Sequence, residues 1–146
     1  MPRETTPREA RQAIFKAPEE ILVEFKSLKG GVWKYKVPKD LFIGCMAWAT
    51  RISEAVSIVH PSEKRRDIQY GIQGTDYRIE SYEGEEFIIF SLNVLKRKGN
   101  IIKDVALPLK SEPYAKRLQL LFDRVGKTPV FPFSRQYAWK AARQIF

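Results

Sequence analysis

The sequence predicts an α+β fold in which helices come first, a three-stranded antiparallel meander follows, and further helices complete the chain. Two observations predict this order. Apolar residues recur at helical spacing on both sides of a middle stretch, and between Tyr77 and Leu107 they alternate as strand residues do. A chain of 146 residues, 44% of them hydrophobic, is long enough to bury one core. We therefore expect an N-terminal arm over residues 1–17 and one domain over residues 18–146.

The elements before the meander are predicted to be helices. Arg8 to Lys16 has the pattern of a short helix. A second helix is expected to begin at Pro18-Glu19-Glu20, because proline and carboxylates suit a first helical turn, and to end at Gly30-Gly31. Leu41 to Thr50 is nearly all apolar, which predicts a central buried helix, and an amphipathic pattern continues from Ile52 to Val59.

The second half of the chain contains the predicted meander and the last helices. Glycine and asparagine in Lys98-Gly99-Asn100 favour a turn between the second and third strands. Ser134 is a candidate N-cap for the last helix. The predicted strands are Tyr77–Tyr82, Glu86–Leu95 and Ile101–Leu107; a helix is predicted over Pro113–Val125, a short extended piece over Pro129–Phe133, and a last helix from Ser134 to Ile145.

Several classes of protein are excluded by simple counts. A single cysteine, Cys45, excludes a disulfide framework and a cysteine-rich zinc site, and a single histidine, His60, lacks companions for a metal site. The apolar run from Leu41 to Thr50 is shorter than the ~20 residues that span a bilayer. Because the first eleven residues are polar and charged, no signal peptide is visible. We expect a cytoplasmic protein with no metal site and no membrane partner.

The positive charge lies in one part of the sequence. Residues 1–93 hold 14 Lys and Arg against 14 Asp and Glu, whereas residues 94–146 hold 12 against 3 and so account for the whole net charge of +9. A one-sided excess of positive charge attracts polyanions, of which nucleic acid is the usual one in the cytoplasm. The alternative is a basic surface kept for solubility.

Two phosphate-binding patterns are present only in part. Gly126-Lys127-Thr128 lacks the further glycine that a P-loop needs, since Leu121 stands at that position. Gly71-Ile72-Gln73-Gly74 fits the GXXG loop of a KH domain, but a strand follows it too closely. Neither motif predicts a site here.

Arg51 is the candidate that the sequence singles out. It lies between a buried helix and an amphipathic one, where an arginine among apolar neighbours needs a reason. One interpretation is a structural salt bridge, for instance with Glu54. The other is an arginine held rigidly to bind phosphate with its planar fork.

The segment around Arg51 resembles the first conserved box of the tyrosine recombinases, the phage-integrase type of site-specific recombinase. Arg51-Ile52-Ser53-Glu54-Ala55 carries that resemblance, and the later segments agree with the family in order and residue type from about Leu41 to Phe146. Those later segments are Val94–Asn100 for the hairpin that carries an active-site lysine, Val105–Leu109 for the end of the third strand, and Val130–Ser134 for the short segment before the next helix.

The resemblance implies a role for three kinds of residue. Arg51 is similar to the first catalytic arginine, which binds the scissile phosphate, and Glu54 to the acid that supports it. Lys98 is similar to the hairpin lysine that protonates the leaving 5′ oxygen, with Lys96 as the alternative. The resemblance implies no cofactor, and a homo-oligomer on DNA is compatible with it. The candidate phosphate contacts are Lys96, Arg97, Lys98, Lys103, Lys116, Arg117, Arg135, Lys140 and Arg143, and Tyr137 and Trp139 are candidates for sugar or base contacts or for packing.

The chain also departs from the pattern of the family. Ala49-Thr50 stands where a glycine often precedes the arginine, and Glu63 to Asp76 resembles an insertion. Nothing after Phe133 matches the histidine-x-x-arginine box or the nucleophilic tyrosine. The sequence thus predicts a partial catalytic domain of a DNA integrase that binds duplex DNA without cleaving it alone. The last helix is expected to run to Phe146, which suggests either that the chain has been cut or that a partner covers this end. The alternatives are a non-catalytic nucleic-acid-binding module derived from that fold and a protein-interaction domain with a basic surface.

Overall fold

The computed structural model describes residues 6–56, 72–96 and 99–146, with the side chains of Ser53 and residues 93–101 left aside. The predicted α+β class is confirmed: helices pack around a two-stranded and a three-stranded antiparallel sheet. In chain order the elements are α1 (Pro7–Lys16), β1 (Glu20–Lys26), β2 (Val32–Pro38), α2 (Asp40–Trp48), α3 (Ile52–Ala55), β3 (Tyr77–Tyr82), β4 (Glu85–Lys96), β5 (Gly99–Pro108), α4 (Pro113–Val125) and α5 (Arg135–Ile145).

The helix expected to begin at Pro18 is wrong, because the chain forms a β-hairpin there. Ile21, Val23 and Phe25 of β1 are buried while their neighbours are exposed, so the governing period is two rather than 3.6. β1 pairs along its whole length with β2. The Gly30-Gly31 pair, expected to end a helix, lies at the hairpin turn, where Gly30 has a φ of +85°.

The hairpin packs on α5. Two α5 side chains cover the outer edge of β1: Lys140 donates to the Glu24 carbonyl at 2.7 Å and Gln144 to the Leu22 carbonyl at 2.7 Å. Edge carbonyls that would otherwise be unpaired are thereby satisfied. On the inner face, the ring of Tyr137 lies 4.4 Å from that of Phe25 and 5.0 Å from that of Tyr35, centroid to centroid.

α2 is the central buried helix that the sequence predicts. Its last residue, Trp48, packs against rings from the meander and from α4, at centroid distances of 5.3 Å to Phe90 and 5.8 Å to Phe122. Aromatic pairs at these separations add to the free energy gained by burying apolar area. α2 therefore has a fixed position between the sheet and the C-terminal helices.

The meander is confirmed. The order is β3-β4-β5, and β4 pairs with β5 from Phe87↔Pro108 out to Lys96↔Gly99. β3 and β4 meet at Glu83-Gly84, both with positive φ, as a two-residue hairpin turn requires.

The remaining helices lie close to their predicted bounds. α4 begins and ends where the sequence places it, and Ser134 is the N-cap residue of α5, although its side chain makes no capping hydrogen bond. The amphipathic run expected from Ile52 ends as a helix at Ala55; residues 57–59 lie outside the described part of the chain, as do the start of the arm and His60. Among the described helices, none combines the length and the apolarity needed to cross a bilayer.

Candidate nucleic-acid interface

The segment that carries Arg51 begins with a left-handed residue. Ala49, the C-cap residue that follows α2, has a φ of +53°, and the next amide, that of Thr50, donates to the Cys45 carbonyl at 3.1 Å. Left-handed backbone at a helix end is the conformation that glycine adopts most easily. Ala49 thus holds the bend that turns the chain out of α2 and toward Arg51.

Glu54 contacts the backbone of Arg51. Its carboxylate accepts a hydrogen bond from the Arg51 N–H at 3.0 Å, which fixes the first turn of α3. The Arg51 guanidinium is exposed and forms no ion pair or hydrogen bond with any residue in the described ranges. The salt bridge with Glu54 that the sequence left open is not formed.

Lys103 connects the meander to the Arg51 segment. Its Nζ donates to the carbonyl oxygen of Trp48, the last residue of α2, at 3.0 Å, and the side chain is half-buried. α3 in turn packs against β4. The backbone around Arg51 is consequently held from the helix side and from the sheet side.

The lysine hairpin extends beyond this contact. Lys103 pairs with Leu92, and the last pair of the hairpin, Lys96↔Gly99, lies four residues further along β4. At about 3.3 Å per residue, the tip projects roughly 13 Å past the point where Lys103 meets α2. The Lys96 side chain, Arg97 and Lys98 lie outside the described residues, so the choice between Lys96 and Lys98 stays a prediction.

Two of the other predicted phosphate contacts are used inside the fold. Arg117 forms ion pairs with Glu19 and with Asp40, where Nε lies 2.6 Å from the carboxylate oxygen. These hydrogen bonds raise the pKa of Arg117, and the Arg117 guanidinium lowers the pKa of Glu19 below its ordinary value of 4.5. Lys140 bonds to β1 and lies 4.4 Å from the centroid of the Phe25 ring.

Three predicted contacts remain open to solvent. Lys116, Arg135 and Arg143 are exposed and have no ion-pair partner in the described part of the chain. Arg135, Trp139 and Arg143 follow one another at four-residue intervals on α5, so they share the side of the helix that faces away from the core. Tyr137 packs inward, where it also accepts a hydrogen bond from Trp33 Nε1 at 3.3 Å.

The aromatic cluster beneath the hairpin was not found from the sequence. It joins Phe25, Trp33, Tyr35, Phe133 and Tyr137. The sequence pattern that could have revealed it is the alternation of Trp33, Tyr35 and Val37. If residues 20–38 are interpreted as two strands, these three side chains lie on the same face of the hairpin.

The excluded motifs have structural explanations. Gly74 is pressed against the C-terminal end of α4, where a Cβ would come within 2.4 Å of the Gly126 carbonyl oxygen. Gly126 itself is the C-cap of α4 with φ +69°, so Gly126-Lys127-Thr128 ends a helix rather than opening one. Burial raises the pKa of the Cys45 thiol to about 11, which keeps it protonated. Over the described residues, no cluster of His, Cys, Asp and Glu is suited to a metal ion.

Comparisons with known proteins give no match to a family model, to a curated protein or to a solved structure. The resemblance to tyrosine recombinases therefore stays a prediction, and function is inferred from the site.

Proposed function

We propose that this chain binds duplex DNA and contributes the first part of the active site of a tyrosine-type site-specific recombinase, for DNA integration and recombination. The Arg51 guanidinium binds a non-bridging oxygen of the scissile phosphate and stabilises the charge that develops in the transition state. Lys98, or Lys96 in the other register, delivers a proton to the leaving 5′ oxygen. Within these 146 residues the proposal assigns phosphate binding, charge stabilisation and proton delivery, but no nucleophile.

The state of the Arg51 side chain carries this proposal. An arginine kept for stability is expected to be paired, as Arg117 is with Glu19 and Asp40. Arg51 is exposed and has no partner among the described residues, while Glu54 holds its backbone N–H at 3.0 Å. A cation on a fixed backbone loses less conformational freedom when an anion binds, which favours binding.

The position of the sheet supports the same site. Lys103 of β5 donates a hydrogen bond from its Nζ to the carbonyl oxygen of Trp48 at 3.0 Å. Trp48 is the last residue of α2 and lies three residues before Arg51. The tip of the same hairpin carries Lys96, Arg97 and Lys98 in sequence. The proposal brings an anion bound at Arg51 close to this hairpin, whose turn has three cations in the sequence.

The open cations extend the proposed DNA contact. Arg135 and Arg143 flank the exposed indole of Trp139 on α5, a helix that contains no acidic residue, and α5 also packs against α3. Phosphate contacts from this face would fix the register of the duplex, while Arg51 engages the reacting phosphate. Lys103, Arg117 and Lys140 have partners inside the fold and are expected to contribute less.

The test is the affinity for a DNA duplex as a function of salt. Fluorescence anisotropy with a labelled duplex gives the slope of log affinity against log salt, which falls by roughly 0.9 for each phosphate contact removed. We expect Arg51→Ala to lower the steepness of that slope by roughly 0.9, the value for one phosphate contact. Arg51→Lys should keep the slope, because the charge remains, and bind more weakly, because the planar fork is lost.

The matched control is Arg124→Ala. Arg124 is an exposed arginine that lines a groove with Asp40, at the opposite end of α2 from Arg51. Its removal changes the net charge equally and should leave the slope unchanged. Equal slopes for wild type and Arg51→Ala would remove Arg51 from the site, and a salt-independent signal for the wild type would contradict DNA binding itself.

A further inference from the structure

The turn between β3 and β4 forms an acidic knob, which we define as Ile79, Tyr82, Glu83, Glu85 and Glu86. Its three carboxylates are exposed and have no ion-pair partner among the residues described. Tyr82 is 69% exposed and Ile79 42% exposed. An exposed aromatic ring beside unpaired charges is typical of a contact surface, because the ring supplies apolar area that solvent does not stabilise.

The outer face of α1 forms a basic groove of about 470 Å³, which is lined by Arg8, Arg11, Gln12, Phe15, Lys16 and Tyr114. Arg8, Arg11, Gln12 and Phe15 have the spacing of one helix face. The Phe15 ring is 74% exposed. Arg11 lies 3.7 Å from Glu112, while Arg8 and Lys16 have no ion-pair partner in the described ranges.

The knob and the groove lie at the same end of the molecule. The Glu86 carbonyl accepts from Leu109 N–H at 3.0 Å, just after β5 ends. The Pro108 carbonyl accepts from Glu112 N–H at 3.1 Å, and Glu112 is the N-cap of α4. Tyr114, one wall of the groove, follows two residues later. The base of the knob at Glu86 and the groove at Arg11 and Tyr114 are therefore joined through the short segment from Leu109 to Glu112. The two patches have opposite charge, and each has an exposed aromatic ring.

We propose that this surface pairs two copies of the chain about a two-fold axis, with the acidic knob of each copy in the basic groove of the other. A surface that holds a patch and its complement side by side is self-complementary, so each contact forms twice in a closed dimer. Charge complementarity selects the second copy as the occupant: three carboxylates face Arg8 and Lys16, the two groove cations without an ion-pair partner in the described ranges, and Tyr82 meets Phe15 and Tyr114. None of these residues belongs to the Arg51 site.

The global charge sets the conditions for the test. A net charge of +9 repels a second copy at long range, and salt screens that repulsion before it weakens close ion pairs. At about 0.1 M salt the Debye length is about 10 Å, and at about 1 M it is about 3 Å. The measurement is sedimentation velocity at up to ~1 mM protein, a concentration at which even a dimer with a millimolar Kd is detected. At about 0.1 M salt we expect a monomer–dimer equilibrium. At about 1 M salt this equilibrium should shift toward the monomer.

Two double variants identify the surface. Arg8→Glu with Lys16→Glu makes groove and knob both acidic, and Glu85→Lys with Glu86→Lys makes both basic. Each variant alone should be monomeric, because both contacts become repulsive. An equimolar mixture should dimerise again, because each knob then meets a groove of opposite charge. Lys29→Glu with Lys34→Glu, exposed cations of the β1–β2 hairpin, is the control with the same change in charge and should dimerise as the wild type does.

Circular dichroism of each variant checks that it remains folded. A monomeric wild type under these conditions overturns the proposal, as do variants that still dimerise or a mixture that stays monomeric. If Arg8→Glu with Lys16→Glu instead weakens DNA binding without any dimer being seen, the groove is a phosphate contact and the proposal is wrong. Arg51→Ala should dimerise normally, so failure of the dimer and failure of the DNA site are separate results.

Discussion

The two ends of α2 use basic side chains in opposite ways. At the N-terminal end, Lys39 is only 8% exposed and donates to the carbonyls of Phe15 and Ala17, and Arg117 joins Glu19 to Asp40. At the C-terminal end, Arg51 stands on a fixed backbone with its guanidinium exposed and without a partner among the described residues.

The difference separates cations that build the fold from cations that are available to a ligand. A paired or buried cation has already exchanged its hydration for protein contacts, so a phosphate gains little from it. An exposed cation on a rigid backbone keeps its binding capacity. Charge counted along the sequence treats both kinds alike, whereas the contacts distinguish them.

The largest expected effect is at the buried end. Lys39→Met removes the donor to the Phe15 and Ala17 carbonyls, at 3.4 and 3.2 Å, and leaves them unpaired near the C-terminal end of α1. We expect a loss of about 2–3 kcal/mol in the free energy of unfolding, measured with urea. Lys36→Met is the matched control: Lys36 is exposed and lies 3.7 Å from Glu20, and such surface pairs are worth about 0–1 kcal/mol. Equal losses for the two variants would show that Lys39 does not anchor α1.

The next effect is at Arg117 and depends on pH. Arg117→Met leaves the partly buried Asp40 carboxylate without its partner, for an expected loss of about 1–2 kcal/mol near neutral pH. The pKa of Glu19 is lowered in the folded state, chiefly by the hydrogen bond from Arg117, so Glu19 adds stability above its ordinary pKa of 4.5 and loses it as pH falls through the lowered value.

The two proteins should therefore converge as the solution is acidified. Urea unfolding at a series of pH values from neutral to below 4.5 should show the wild type losing more stability than Arg117→Met. The variant lacks the main cation that lowers the Glu19 pKa and keeps only the smaller effect of Lys39, which lies 3.6 Å from Glu19. A constant difference across that range would mean that the ion pair does not contribute to stability. Arg124→Met serves as the control, because Arg124 is exposed and makes no ion pair with a described residue.

The order of elements at the buried core was predictable because it depends on local pattern. Each of three segments has a regular hydrophobic pattern that a loop lacks. These are the apolar run of α2, the alternation in the meander and the amphipathic period of α4. The β1–β2 hairpin was missed because Ile21, Leu22 and Phe25 also satisfy helical spacing. The burial of Val23 and its pairing with Tyr35 distinguish the strand period of two from the helical period of 3.6. Both features depend on tertiary contacts, which the local sequence does not show.

The candidate site was predictable in its residue types and not in its connections. Arg51 stands out in the sequence because an arginine is unusual among apolar neighbours. That Lys103 bonds to the Trp48 carbonyl, or that Arg117 reaches back to Glu19, could not be predicted, because these contacts join residues 55 and 98 positions apart. Sequence pattern carries little information on pairings at such distances.

A smaller effect is expected at the bend before Arg51. Ala49→Gly removes the strain of a left-handed alanine with φ +53°, offset in part by the greater freedom of glycine in the unfolded chain. We expect a gain of about 0.5–1 kcal/mol in unfolding free energy. Ala47→Gly, inside α2, is the control and should instead cost about 1 kcal/mol. If both substitutions destabilise the protein, the bend at Ala49 is not left-handed in solution.

The smallest effect on stability is expected at Arg51 itself. This prediction tests most directly whether the cations at the two ends of α2 differ in their contribution to the fold. Arg51→Ala removes an exposed side chain with no partner among the described residues, so the free energy of unfolding should change by less than about 0.5 kcal/mol. Arg117→Ala, the same substitution at the other end of α2, should cost several times more. Urea unfolding of the two variants side by side measures both. A loss at Arg51 as large as that at Arg117 would place Arg51 among the cations that build the fold, and its availability to a phosphate would no longer follow.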